Sequence, residues 1–182
     1  MKKVTLIMAF IGLGLSVFGQ KFLTRTGTIQ FFSETDIENI EAINNQVSSV
    51  INIDNGEMAF TLLLKAFAFE KALMQEHFNE KYVESEKFPK SSFKGSIVDF
   101  SSSDLSKTPK EYSVKGDLTI HGITKKIEVK MTLIVNSENQ IIGTSIFTIK
   151  LEDYDIKVPS AVRSQISETI EINVKLDYEK MD

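Results

Sequence analysis

The sequence contains no cysteine and no tryptophan, and its 182 residues include only three prolines and two histidines. Without cysteine the chain has no disulfide framework, no thiol nucleophile, no thiolate metal ligand and no cysteine that could carry a lipid anchor. His77 and His121 are 44 residues apart, a spacing that suggests no metal site. We therefore expect no metal and no catalytic residue.

The sequence also contains fewer basic than acidic residues. The chain carries 21 Lys and Arg against 25 Asp and Glu, a net charge of −4. Surfaces that bind nucleic acid or anionic membranes carry an excess of Lys and Arg. We therefore expect neither as a partner.

The first residues form a separate unit. Lys2 and Lys3 precede an apolar run over residues 6–18, and Val17 and Gly19 are small enough for a cleavage site. This run is short for a membrane span and typical of a signal peptide. We expect a signal peptide over 1–19 and a domain over 20–182, with no membrane span after cleavage. The protein would then be periplasmic or secreted.

Most of the remaining chain alternates between apolar and polar residues, which predicts strands with one buried face. The turn signals include Asn55-Gly56 and His121-Gly122, short pairs of the kind that close tight hairpins. Eight strands are predicted, over residues 22–33, 47–53, 57–69, 91–101, 111–120, 123–135, 140–151 and 167–178.

Two segments break this alternation. Residues 70–82 place Leu73, Met74, His77 and Phe78 on one face of a helix. Residues 34–45 have isoleucines at a spacing of three and predict a short helical turn or a loop. Phe67 and Phe69 are out of phase with the strand before them, which indicates a bulge or a strand end near Lys65.

Eight antiparallel strands can form a closed barrel or a two-sheet sandwich, and a barrel interior can be filled by side chains or hold a small ligand. The pattern leaves these alternatives open. A hydrolase using Ser92 or His77 is a further alternative. The S-x-x-K match at Ser91–Lys94 lies in a predicted strand and lacks the partner motifs S-D-N and K-T-G.

Two stretches resemble a known family. Residues 116–126, GDLTIHGITKK, resemble the GDLTI-x-G-V-T-K signature of the YceI-like, polyisoprenoid-binding proteins. Residues 75–78 and 88–95 resemble the family's D-x-H-L and F-x-x-x-x-Y-P-x-x-x-F region. Residues 151–156 depart from the R-x-D-F-G that is usual in the family after the seventh strand.

This resemblance implies an all-β fold: an eight-stranded antiparallel lipocalin-like barrel with one short helix. It also implies an exported protein that binds a polyisoprenoid or another long apolar lipid, possibly an isoprenoid quinone, and needs no other cofactor. A homodimer is one alternative for the oligomeric state. The residues expected to bind the ligand lie on the inward faces and on the helix: Phe31, Phe60, Leu62, Leu64, Phe67, Phe69, Leu73, Met74, His77, Phe78, Phe93, Phe147 and Ile149.

Overall fold

The computed structural model describes residues 20–181. The signal peptide predicted for residues 1–19 lies outside the described residues.

Nine strands form a single antiparallel sheet in this part of the chain. Eight of them follow one another in the order β1-β9-β8-β7-β6-β5-β3-β2, and β1 pairs with β2 to close the barrel. The ninth, the two-residue β4, pairs with β2. The strands are β1 (Lys21–Glu34), β2 (Asn39–Asn52), β3 (Glu57–Leu63), β4 (Ala68–Phe69), β5 (Lys90–Ile97), β6 (Lys110–Ile120), β7 (Ile123–Val135), β8 (Ile141–Lys150) and β9 (Thr169–Lys180). The predicted eight-stranded barrel is confirmed, and the sandwich alternative is wrong.

The β6–β7 hairpin shows how the turn residues set the register. Ile120 pairs with Ile123, which leaves His121 and Gly122 as a two-residue loop. Both loop residues have positive φ, 51° and 73°. Hairpin loops with two positive φ values match the twist of the flanking strands. The predicted hairpin is therefore confirmed in position and in turn chemistry.

The helical turn or loop predicted for residues 34–45 is confined to the short loop over residues 35–38, and the prediction is wrong from Asn39 onward. The turn between β1 and β2 is short, and the Thr35 hydroxyl donates to the Glu38 carbonyl oxygen at 3.0 Å. From Asn39 onward the chain is a strand, in which Ala42 and Asn44 are buried. Because these inward positions hold a small residue and a polar residue, the hydropathy of this segment does not alternate as it does in the other strands.

The phase shift near Lys65 is explained by the end of β3. A 3₁₀ turn over Leu64–Ala66 follows the strand, and β4 then pairs with β2. The turn changes the direction of the chain so that Leu64 and Phe67 are both buried. Of the two alternatives drawn from the sequence, the strand end is correct.

The helix in the structure is shorter than the segment of residues 70–82 in which the sequence pattern predicts a helix. α1 spans Ala72–His77 and is followed by a π turn over Phe78–Tyr82. Within residues 20–181, no helix is both long and apolar enough to cross a membrane.

The far half of the barrel, remote from α1, is filled by side chains. Its buried residues include Phe22, Ile51, Tyr112, Leu133 and Tyr178. Tyr178 is fully buried, and its hydroxyl lies 2.7 Å from the Ser49 hydroxyl. Because Ser49 donates to the Ala59 carbonyl oxygen at 2.9 Å, the Tyr178 hydroxyl donates to Ser49. The Tyr178 and Ser49 hydroxyls are thus paired, whereas the buried Tyr112 hydroxyl has no hydrogen-bond partner among the described residues.

Residues 64–89 form an insertion between the neighbouring strands β3 and β5, and this insertion carries α1. Its two ends meet where the Leu64 backbone N–H donates to the Pro89 carbonyl oxygen at 2.9 Å. Buried His121 joins the insertion to the rest of the barrel. Its Nδ1 donates to the Tyr154 carbonyl oxygen at 2.9 Å, and its Nε2 lies 2.9 Å from Glu84 Oε2.

Tyr178 makes stability sensitive to alkaline pH. Burial raises the pKa of its hydroxyl. The unfolded chain loses this proton near the ordinary tyrosine pKa of about 10 while the folded chain keeps it, so the free energy of unfolding falls as the pH rises above that value. We expect Tyr178→Phe to flatten this fall. The measurement is urea denaturation between about pH 8 and pH 11.

Tyr82→Phe is the comparison. Burial also raises the pKa of Tyr82, but this side chain is less buried than Tyr178, so we expect Tyr82→Phe to flatten the alkaline fall in stability less than Tyr178→Phe does. At neutral pH, Tyr178→Phe loses one hydrogen bond and should cost about 0.5–1.5 kcal/mol. Equal alkaline slopes for the wild type and Tyr178→Phe would contradict the prediction.

Replacing His121 should loosen the insertion. Asn tolerates the positive φ of this position but is too short to keep both contacts. We expect His121→Asn to lower the free energy of unfolding by about 1–3 kcal/mol. The same substitution at the half-buried helix residue His77 is the control, and we expect it to change stability by less than about 0.5 kcal/mol. A His121→Asn variant as stable as the control would show that these contacts contribute little.

Candidate functional site: an apolar cavity

The half of the barrel beneath α1 contains a cavity of about 450 Å³. Seven barrel strands contribute inward side chains to it, each from the strand end nearest α1. These strand residues are Ile29, Phe31, Ser33, Ile40, Phe60, Leu62, Ser91, Leu118, Ile120, Phe147, Ile149, Ile170 and Ile172, with Ile40 and Ser91 coming from β2 and β5. Farther along the same strands the inward positions belong to the packed core, so the cavity occupies one half of the barrel.

Four phenylalanines form a cluster between the barrel and the insertion. The ring of Phe78, just after α1, lies 5.6 Å from Phe31, 5.6 Å from Phe67 and 5.1 Å from Phe69. The Phe31 contact is stacked and the other two are edge-on or tilted, and aromatic pairs at these distances are favourable beyond the area that they bury. This cluster holds the short helix over the cavity.

Polar groups gather where lining residues reach solvent. The Lys71 ammonium lies 2.8 Å from Glu38 Oε1, and both residues line the cavity. The hydrogen bond to Glu38 raises the pKa of Lys71. His77 and Gln165 also line the cavity, and Leu73 is 61% exposed. These residues mark the mouth, where a polar end of a ligand could meet charged and hydrogen-bonding groups.

The segment between β8 and β9, which includes Gln165, also lines the cavity. Leu151, Ile156, Val162 and Ile166 line the cavity there. This segment contains two 3₁₀ turns, Leu151–Tyr154 and Ser160–Val162. It includes residues 151–156, where the sequence departs from the family pattern, so the departure falls on the cavity wall.

Twelve of the thirteen residues predicted to bind a ligand line this cavity: Phe31, Phe60, Leu62, Leu64, Phe67, Phe69, Leu73, Met74, His77, Phe78, Phe147 and Ile149. Phe93 is 4% exposed and lies behind the lining, stacked on Phe60 with ring centroids 5.5 Å apart. Ligand binding itself remains a prediction for all thirteen.

The sequence analysis missed several lining residues. Alternation does not show which end of a strand borders a cavity, so it did not single out the lining residues within the predicted strands: Ile29, Leu118, Ile120, Ile170 and Ile172. Glu38, Lys71 and Gln165 gave no signal, because polar residues in turns and loops are ordinary.

Of the remaining chemical candidates, Ser91 and His77 line the cavity, whereas Ser92 does not. Within residues 20–181, no three Asp, Glu or His side chains cluster closely enough to hold a metal ion. The S-x-x-K match lies in strand β5, and the Ser91 hydroxyl donates to the Thr119 carbonyl oxygen at 2.9 Å.

Solved structures of similar fold come from several bacteria. A polyisoprenoid-binding domain from Saccharophagus degradans, implicated in plant cell wall breakdown, has a TM-score of 0.76 and 16% identity, covering 90% of this chain and 99% of its own. BcnA from Burkholderia cenocepacia has a TM-score of 0.71 and 16% identity, covering 83% and 95%. The YCEI protein from Campylobacter jejuni has a TM-score of 0.59 and 16% identity, covering 100% and 99%.

A comparison with curated proteins found no match. At 16% identity the structural likeness shows the fold. The family model of the YceI-like domain matches residues 16–178, which is most of the chain. The chain therefore belongs to the YceI-like domain family.

Proposed function

We propose that this chain is an exported carrier that holds a polyisoprenoid, or another long apolar lipid such as an isoprenoid quinone, for transport or storage. The observation that carries the proposal is the apolar cavity under α1, lined by aromatic and aliphatic side chains with a few polar groups at its mouth. Small-molecule sites commonly combine these two features. Family membership and the polyisoprenoid-binding domain of similar fold support the same ligand class.

The energetics favour such a ligand. Burial contributes about 0.8 kcal/mol for each CH₂ group, so a five-carbon isoprene unit contributes up to about 4 kcal/mol before entropy and strain are subtracted. An isoprenoid chain is poorly soluble and gains this energy by leaving water. The work of a carrier requires no catalytic group.

The polar mouth suggests an orientation for the ligand. The apolar chain would lie in the cavity and a polar end would lie near Lys71, His77 and Gln165. The signal peptide predicted at the N-terminus supports a periplasmic or secreted location, where a lipid must cross water between membranes.

The direct test is native mass spectrometry of the mature protein purified from its own host, followed by organic extraction. We expect a bound species with an isoprenoid-like mass, and extraction would identify it. A clean apo mass with no uptake of quinone or polyprenol from detergent would instead favour a structural or interaction barrel that binds no ligand. The same spectra distinguish a monomer from a homodimer.

Blocking the cavity should abolish binding. Leu62 points into the cavity from β3, whereas its neighbour Leu63 is 47% exposed on the outer face. We expect Leu62→Trp to weaken lipid binding at least about tenfold, because the indole occupies ligand space. Leu63→Trp is the matched control and should bind like the wild type.

Widening the cavity should also change binding. Phe147 lines the cavity, and the adjacent Ile146 is 67% exposed on the outer face. We expect Phe147→Ala to alter the affinity for a quinone or polyprenol, and Ile146→Ala to leave it unchanged. The measurement is displacement of a fluorescent apolar probe. If neither Leu62→Trp nor Phe147→Ala changed binding, the assignment of the lining would be wrong.

A further inference from the structure

The closed end of the cavity has a distinct construction. Phe60, Phe93 and Leu118 are paired neighbours on β3, β5 and β6. Phe60 and Leu118 line the cavity, whereas Phe93 between them does not. The Phe93 ring therefore points away from the cavity, toward the packed half of the barrel.

The space that this ring occupies exists because two residues lack side chains. Gly95 and Gly116 are paired on β5 and β6, directly beyond Phe93 along the strand. A methyl group at either glycine would lie 2.6 Å from Cζ of Phe93. Real Cβ atoms do not approach a neighbour this closely, so the ring fills the volume above the glycine pair.

The opposite side of the barrel repeats the arrangement. A methyl group at Gly27 would lie 2.6 Å from Cδ2 of Leu176, and one at Gly143 would lie 2.4 Å from Cε of Met131. Gly27 and Gly143 both lie on the packed side of the last lining residue of their strands, Ile29 and Phe147. Large side chains therefore cross the barrel at a level of inward glycines and separate the cavity from the packed half.

We propose that Phe93, seated over Gly95 and Gly116, fills the space directly beneath the cavity, so that its ring supports the cavity floor and sets the length of the apolar chain that the barrel accepts. This inference rests on the proposed function and specifies its ligand. A methylene group occupies about the volume of a liquid water, roughly 30 Å³. The 450 Å³ cavity therefore holds about fifteen carbons, or about three isoprene units.

The floor predicts a limit in chain length. Each isoprene unit that enters the cavity adds affinity, and a unit beyond the floor must remain at the mouth in water. Affinity should therefore rise with chain length up to about three or four units and then level off. Phe60 and Leu118, the paired neighbours of Phe93, both line the cavity. Removing the Phe93 ring therefore joins the volume of the ring to the cavity.

The experiment compares geraniol, farnesol, geranylgeraniol and geranylfarnesol, which lengthen by one isoprene unit at each step. Their affinities are measured by displacement of a fluorescent apolar probe from the wild type, Phe93→Ala and Phe22→Ala. Phe22 is buried at the opposite end of β1, so Phe22→Ala opens a hole of similar size remote from the cavity. Circular dichroism establishes that each variant is folded, and Phe93→Leu replaces Phe93→Ala if the latter unfolds.

We expect the wild type and Phe22→Ala to level off at the same length. Phe93→Ala should gain about tenfold or more for the next longer alcohol. The proposal that Phe93 limits the chain length would be wrong if a folded Phe93 variant showed the same dependence of affinity on chain length as the wild type. It would also be wrong if the affinity of the wild type kept rising over the whole series. If none of the alcohols bound the wild type while it also carried no lipid from its host, the proposed function itself would fail, an outcome distinct from binding without a length limit.

Discussion

Closure of the sheet by the pairing of β1 with β2 is the constraint on which the rest of the structure depends. The two strands pair from Lys21 opposite Asn52 to Glu34 opposite Asn39, with irregularities on either side of Gly27. Bulges bend a strand and increase its twist, which helps a sheet to curve back on itself. Once eight strands are closed, the interior has a fixed width, and side chains can fill it or leave a cavity.

One half of this interior is filled by side chains and the other half contains the cavity. In the far half, Tyr112, Tyr178 and branched aliphatic residues fill the barrel, and the Tyr178 and Ser49 hydroxyls are paired with each other. In the half beneath α1, the inward side chains border empty volume. The packed half supplies the stability of a chain that has no disulfide, and this leaves the other half available for a ligand.

The insertion between β3 and β5 completes the cavity without a core of its own. Helix α1 has no buried residue, so its position depends on contacts at its edges. Phe78 packs in the phenylalanine cluster, and Glu84 meets His121 of the β6–β7 turn. A covering element held by few contacts can open at a lower free-energy cost than a barrel strand, which would allow the proposed ligand to enter.

Alternation and turn chemistry indicated the strands, the His121-Gly122 hairpin and the apolar faces. They left a barrel and a sandwich open, and the resemblance of residues 116–126 to the family signature implied the barrel. They failed for β2, where Ala42 and Asn44 replace large apolar residues, and they gave a helix longer than α1. Local pattern reports which face of a strand is buried, and for most of this chain that was sufficient.

The tertiary structure decided what the buried faces enclose. Phe60 and Phe93 look alike in the sequence, as aromatic residues at inward strand positions, yet one lines the cavity and the other lies beneath it. The difference comes from Gly95 and Gly116, which leave room for one ring on the packed side. The role of His121 likewise depends on Glu84 and Tyr154, which are distant in sequence. Hydropathy is a property of single residues, whereas a cavity is the volume left after side chains from many strands have packed, so only their arrangement in space defines it.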